Sequence, residues 1–225
     1  MFDYVLKREK GMKNIRIKIT PEGTVAVSAP YYVSKAAVDS FVAGNEEWIR
    51  KNIALSKERK EKPVCNGTEI TFLGERLTLE FLQGEEGYCR KDNRLILRLP
   101  DADNEEKRKE SLVRFYLEEG KRIIPRIIGE YLRKSDYKGS IPKLSVKLMK
   151  SQWGSCNRKS GRITLNLLLL KLSPKYLEYT AAHEVTHLFV KGHGDDFYSF
   201  GEGLFRDFYI TDRELNKIKN TGLFD

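Results

Sequence analysis

The sequence predicts an α+β protein, and three observations lead to that fold class. Apolar and polar residues alternate in several runs before residue 100, such as Ile15–Ile19, and a period of two indicates strands. From Leu112 to Leu132 the apolar residues recur every three or four positions, which indicates a long amphipathic helix. A further helical pattern follows Pro174 and leads into the stretch that contains all the histidines of the chain. We therefore expect a β-rich first part and a mainly helical second part.

The predicted β-rich part contains a hairpin, one helix and three more strands. Two alternating runs between Tyr4 and Ala29 form the predicted β-hairpin. Ser34 is suited to cap a helix that continues to Ile53. The three further strands are predicted at residues 68–73, 76–82 and 94–99. An acidic run from Asp101 then marks a change in composition, so we predict a β-rich N-terminal domain at 1–103 and a second domain at 104–225.

The second predicted domain begins with the long helix, which we expect to bend at Pro125. Strands are predicted at residues 143–149 and 162–166, with residues 157–161 as the turn that joins them into a hairpin. Ser173 and Pro174 then begin another helix in the favoured order, a capping side chain followed by proline at the first helical position.

This last helix carries the strongest chemical signal of the sequence. His183 and His187 are four residues apart, so on a helix they share a face and can present two imidazole nitrogens to one ion. Glu184 lies beside the first of them at an angle that suits a general base rather than a ligand. Catalytic zinc usually takes three protein ligands, and His193 is the candidate for the third. The spacing therefore predicts one zinc ion bound by His183, His187 and His193.

Gly192 is expected to end this helix in a left-handed conformation that returns His193 to the metal, and Asp195 is expected to cap the next helix. The alternative is an ordinary amphipathic helix with two histidines four residues apart by chance. A metzincin has the same histidine spacing, but it requires glycine where this chain has Val190, and a downstream Met-turn. All methionines of this chain lie upstream of the motif, which argues against that class.

Composition limits the remaining classes of protein. The chain has 225 residues, 40% of them hydrophobic, which is enough for one large core or two smaller ones and excludes a disordered or fibrous protein. The first residues lack the apolar segment of a secretion signal, and no stretch is apolar enough to span a membrane. Three widely spaced cysteines, Cys65, Cys89 and Cys156, favour a reducing compartment. We expect a cytoplasmic protein.

The net charge of +9 is concentrated in one segment, which we call the basic segment. Residues 107–150 contain 13 Lys or Arg against 5 Asp or Glu. Such a segment can attract nucleic acid or other acidic partners, but a solvated helix face has the same pattern. We therefore expect at most a weak nucleic-acid contact through residues 107–150.

A second stretch, Gln152-Trp-Gly-Ser-Cys156, lies upstream of the histidine motif. Together with Arg162–Asn166 and the motif that begins at His183, it resembles the YgjP-like metallopeptidase family, which is grouped with the WLM and SprT-like zincins. The resemblance is specific from Ser151 to Tyr198 and looser before that. It implies a zincin-like metallopeptidase domain at 104–225, with the His-Glu-x-x-His helix packed on a small antiparallel sheet.

The resemblance also implies roles for individual residues. His183, His187 and His193 would be metal ligands and Glu184 the catalytic residue, and all four match the family pattern in type and spacing. The departures concern substrate contacts rather than ligands. They are Gln152 in place of a basic residue, Gly192 in place of asparagine, and Phe197-Tyr198 in place of Phe-Trp.

The predicted function is a zinc-dependent hydrolase, most simply a metallopeptidase that cleaves peptide or protein substrates with Glu184 as general base. Two alternatives stay open: a metal-dependent phosphohydrolase of nucleotides, and a nucleic-acid-associated protein with a structural metal. The stretch from Trp153 to Cys156 can be a sheet edge beside the cleft or a source of a cysteine ligand, and the edge is favoured because zincins bind extended substrates along such edges. Tyr179 and Tyr198 have the phenol group of an oxyanion donor but fit equally well in a core or a rim.

Overall fold

The computed structural model describes residues 2–20, 23–58, 63–218 and 222–224. The α+β class is confirmed: the described residues form six α-helices and three small mixed sheets. The chain divides by contacts into two compact units, Met1–Lys62 and Pro63–Phe224. This division differs from the predicted boundary near residue 103. The reason is that the strands between residues 69 and 99 bury their apolar side chains in the same core as the long helix. Among the described helices, none is long and apolar enough to cross a membrane.

The first unit consists of a three-stranded sheet and two helices. Its strands are β1 (Tyr4–Arg8), β2 (Arg16–Ile19) and β3 (Val25–Ala29), in the order β1-β3-β2. The predicted hairpin is correct for β2 and β3, whereas β1 is a separate strand parallel to β3. The helices are α1 (Lys35–Gly44) and α2 (Glu46–Glu58). Ser34 caps α1 as predicted, but the single predicted helix is interrupted at Asn45.

The second unit begins with a four-stranded sheet in the order β4-β5-β7-β6. Its strands are β4 (Glu69–Phe72), β5 (Glu75–Gln83), β6 (Gly87–Lys91) and β7 (Arg94–Leu99). The three predicted strands are present, and β6 is additional. Most residues of β6 are exposed, so this edge strand lacks the apolar alternation by which a strand is predicted.

The long helix α3 (Glu105–Lys134) links this sheet to the rest of the unit. The side chain of Asn104 caps it by accepting from the amide of Lys107. The predicted apolar stripe is buried, and the helix continues without interruption through Pro125. Its buried side chains include Leu112, Tyr116, Ile124 and Ile128.

The third sheet contains β8 (Lys143–Lys147), β9 (Gly154–Asn157) and β10 (Arg162–Asn166), in the order β8-β10-β9. The predicted turn is correct, but the hairpin joins β9 to β10, and β8 is parallel to β10. The sheet is therefore mixed rather than antiparallel as predicted. Asn166 is fully buried and fixes the loop that leads into β9, since its amide donates to the carbonyls of Met149 and Gln152.

Three helices complete the unit: α4 (Pro174–Phe189), α5 (Asp195–Leu204) and α6 (Phe208–Leu215). Pro174 is the first residue of α4 as predicted, and α4 packs against α3, β9 and β10. The predicted cap at Asp195 is wrong, because Gly194 is the N-cap and Asp195 lies in the first turn. There its negative charge complements the positive end of the helix dipole.

Candidate metal centre

Helix α4 and the turn after it bring the three histidines together. His183 and His187 lie one turn apart on α4, which ends at Phe189. Gly192 follows with a φ of 82°, the left-handed conformation expected from the sequence, and the chain returns His193 to the helix. The Nε2 atoms of His183 and His193 are 3.1 Å apart, and one nitrogen from each of the three rings lies within 4.8 Å of the others. The predicted ligand set is thus assembled at one point.

Phe197, from α5, forms an apolar floor under the three imidazoles. Its fully buried ring has its centroid 4.9 Å from that of His183, 4.6 Å from His187 and 4.8 Å from His193. Burial, followed by the neighbouring His187 and His193, lowers the pKa of His183 to about 3, and burial also lowers the pKa of His187. Both rings are therefore neutral at physiological pH, which is the form that binds metals.

Glu184 faces β9 rather than solvent. It is 4% exposed, and its Oε2 has no hydrogen-bond partner among the described residues. Burial raises the pKa of Glu184 to about 8. The carboxyl lies against the backbone of Gly154, where an added Cβ would be 2.4 Å from Oε1 and 2.9 Å from Cγ. Only glycine fits at position 154 without displacing this carboxyl.

Tyr179 and Tyr198 both contact Asp212, a residue of α6 that the sequence did not single out. The Tyr179 hydroxyl donates to Asp212 Oδ1 at 2.6 Å and lies 2.8 Å from Nδ1 of His183. Tyr198 donates to Oδ2 of the same carboxylate at 3.3 Å. Tyr179 is 2% exposed, and burial, followed by Asp212, raises its pKa far above the usual value for tyrosine. Tyr179 is thus a buried hydrogen-bond partner of His183.

A cavity of about 610 Å³ connects these groups. One side of the cavity is formed by Trp153, Gly154 and Cys156. Gly154 and Cys156 belong to β9, which is an edge strand of its sheet. The three histidines and Glu184 line the same cavity. Burial, followed by the nearby Glu184, raises the pKa of the Cys156 thiol to about 11. Among the described residues, the ligand atoms that converge are those of the three histidines and do not include the Cys156 sulfur. This geometry agrees with the sheet-edge interpretation of the stretch.

The residues present fit a divalent metal ion. Three imidazole nitrogens form a donor set that suits zinc and related transition metals rather than magnesium. A buried carboxyl with one unpartnered oxygen is costly unless a cation or a hydrogen-bond donor compensates it. A cation held by the three histidines, which line the same cavity as Glu184, would favour the charged form of this group.

The basic segment at 107–150 lies mainly on α3, and several of its cations are paired. Lys107 lies 2.9 Å from Glu110, Arg122 pairs with Glu119, and Arg114 pairs with Glu86. Arg108 donates to backbone carbonyls, including that of Val64 at 2.6 Å. Part of the positive charge of the basic segment is therefore already paired with carboxylates and carbonyls of the same unit.

Three imidazoles that converge in one cavity with a buried carboxyl, on a mixed α+β fold, indicate a metal-dependent hydrolase. The model of the YgjP-like family, described as the YgjP-like metallopeptidase domain, matches residues 13–218. The chain therefore belongs to the YgjP-like metallopeptidase family, as the sequence motifs indicated, and a metal-dependent peptidase is its general class.

Two solved structures are similar to parts of the chain. The metallopeptidase zymogen of Pyrococcus abyssi abylysin is 22% identical, with a TM-score of 0.39, over 44% of this chain and 100% of that one. The metallopeptidase zymogen of Methanocaldococcus jannaschii jannalysin is 24% identical, with a TM-score of 0.36, over 41% of this chain and 91% of that one. No curated protein matches the chain.

Proposed function

We propose that this protein is a zinc-dependent peptidase in which His183, His187 and His193 hold one ion and Glu184 is the general base. The observation that carries the proposal is the convergence of three ligand nitrogens within 4.8 Å, in a cavity shared with the buried Glu184 carboxyl. Membership of a metallopeptidase family supports the same class of reaction. The direct test is hydrolysis of unstructured proteins and labelled peptides by the zinc-loaded protein.

When bound, zinc would supply a Lewis acid that polarises the scissile carbonyl and lowers the pKa of a water molecule. Glu184 accepts the proton of the attacking water and later donates it to the leaving amine. Its burial against Gly154 keeps bulk water away from the carboxyl and restricts where its oxygens can lie. Phe197 restricts the three ligand rings in the same way, so the site is held rigid before substrate arrives.

The proposed substrate is an extended peptide that lies along β9. Gly154–Asn157 forms the outer edge of its sheet, and backbone groups of an edge strand can pair with a peptide of any sequence. Gly154 and Cys156 of this strand also line the cavity that contains Glu184. A peptide paired with β9 would therefore pass beside the general base.

The alternatives from the sequence are less well supported. Phosphohydrolases of nucleotides typically use Mg²⁺ and oxygen ligands, whereas the cluster here offers imidazole nitrogens. A purely structural metal usually has four protein ligands, and its site needs no additional carboxyl to act as a base. This site instead combines three histidines with Glu184. Hydrolysis of nucleoside triphosphates, with no hydrolysis of peptides, would favour the first alternative over our proposal.

We expect the protein to bind one zinc ion per chain and to become more stable when it does. A ligand that binds only the folded state stabilises it by about 4 kcal/mol when its concentration is 1,000 times Kd. Elemental analysis, with thermal denaturation before and after a chelator, measures both effects. The assignment fails if the zinc-treated protein retains no metal, or if Asp195 or Glu202 replaces His193 as a ligand in a metal-bound structure.

For the basic segment we propose at most weak binding of nucleic acid. Affinity should fall steeply as salt increases, because binding to phosphates releases counterions, with a slope of roughly 0.9 per phosphate contact on a logarithmic plot. Titration of fluorescent duplex and single-stranded DNA at several salt concentrations measures this slope. Tight binding that persists at about 200 mM salt would contradict the expectation. Complete absence of binding at low salt would reduce the basic segment to a feature that aids solubility.

A further inference from the structure

We propose that Tyr179 and Asp212 are positioning residues that hold His183 in the tautomer whose Nε2 is free to bind the metal. The inference rests on the proposed function, since it concerns the metal-binding atom of His183. The hydrogen bonds form a chain from α6, through the tyrosine hydroxyl on α4, to the first ligand.

The direction of the chain follows from its donors and acceptors. A tyrosine hydroxyl has one proton, and an ionised carboxylate can only accept. Because the Tyr179 hydroxyl donates to Asp212 at 2.6 Å, its oxygen must accept the second hydrogen bond, from Nδ1–H of His183 at 2.8 Å. With the proton on Nδ1, the Nε2 of a neutral imidazole carries the lone pair.

The carboxylate at the end of the chain is placed to act as an acceptor. Three donors face it: the hydroxyl of Tyr179 at Oδ1, and the hydroxyl of Tyr198 and the amide of Asn216 at Oδ2. This arrangement is typical of an ionised carboxylate, which has no proton to donate. The Tyr179 hydroxyl is therefore the donor, and Asp212 the acceptor, of the hydrogen bond between them.

The ring geometry agrees with this assignment. Nε2 of His183, not Nδ1, is the atom that lies 3.1 Å from Nε2 of His193. The Tyr179 ring packs against Phe208 and Phe205, at centroid distances of 5.0 and 6.0 Å. The hydroxyl therefore has little freedom to turn away from His183.

Tyr179→Phe removes the hydroxyl and keeps the packed ring. We expect its zinc affinity to fall by about 10–100-fold, the usual loss when a hydrogen-bond partner of a metal-ligating histidine is removed. Competition with a chromophoric zinc chelator measures the affinity of the folded protein. The matched control is Tyr88→Phe, which also loses a tyrosine hydrogen bond to a carboxylate, that of Glu119, but lies outside the cavity and should keep zinc affinity within a few-fold of wild type.

A second measurement does not require a variant. Long-range ¹H–¹⁵N NMR of the metal-free wild-type protein reports which nitrogen of His183 is protonated, and we expect Nδ1. A proton on Nε2, or a Tyr179→Phe variant that binds zinc as tightly as wild type, would overturn the inference. A wild-type protein that shows the Nδ1 tautomer but binds no zinc would instead overturn the proposed function and leave the hydrogen-bond chain intact.

Discussion

Glu184→Gln should lower the rate of peptide hydrolysis by about 10²–10⁴-fold, the usual contribution of a general base, while zinc remains bound. The amide has nearly the same shape as the carboxyl, but it cannot accept the proton of the attacking water. The three histidines keep their contacts with Phe197, so the ligand set should be unchanged. Loss of activity should therefore appear in kcat, with zinc stoichiometry and the midpoint of thermal unfolding close to those of the wild type.

The same helix offers a matched control. Glu178 is an exposed residue of α4 that lies outside the cavity, so Glu178→Gln makes an identical chemical change without entering the proposed mechanism. We expect wild-type kinetics from this variant. Full turnover by zinc-loaded Glu184→Gln would refute the proposed mechanism. An equal loss of kcat in Glu184→Gln and Glu178→Gln would indicate that removing any negative charge from α4 lowers activity.

The sequence predicted the local parts of this site because their geometry depends on short spacings. Positions four residues apart share a helix face in any α-helix, so His183 and His187 could be paired without a structure. The left-handed conformation of Gly192 and the start of α4 at Pro174 follow from equally local rules, and both were predicted correctly. Local rules also identified the strand that became β7, at Arg94–Leu99.

What the sequence could not predict depends on contacts between distant segments. Asp212 belongs to α6, and nothing in its local sequence indicates that it meets Tyr179. The parallel pairing of β8 with β10 was missed for the same reason, since two consecutive strands with a turn signal between them suggest a hairpin. The division after Lys62 likewise reflects shared burial, because Leu77 and Leu95 pack in one core with Leu112 of α3.

Gly154 makes the most informative of these distant contacts, because it joins the second sequence motif to Glu184, the proposed general base. The sequence favours a sheet edge at Trp153–Cys156 but gives the glycine of this stretch no role. In the structure the backbone of Gly154 lies directly against the Glu184 carboxyl, and any side chain at 154 would occupy the position of that carboxyl. The motif therefore contributes to the placement of the proposed general base as well as to the sheet edge.

Gly154→Ala should lower kcat by up to about 10²-fold, the loss that a displacement of roughly 1 Å can cause. The new Cβ would lie 2.4 Å from Oε1 and 2.9 Å from Cδ of Glu184, so the flexible carboxyl end must move. Zinc affinity should stay at the wild-type level, because the clash involves no histidine. The control is Gly87→Ala on edge strand β6, where an added Cβ meets nothing within 4 Å.

A double variant separates this effect from a general disturbance of β9. If Gly154→Ala acts by displacing the general base, it should cost nothing more once Glu184 is already glutamine, since two changes to one catalytic unit are not additive. We therefore expect the kcat of Gly154→Ala combined with Glu184→Gln to equal that of Glu184→Gln alone. A double variant that is slower by the full factor of the single Gly154→Ala change would show that Gly154 acts through the substrate-binding edge and not through Glu184.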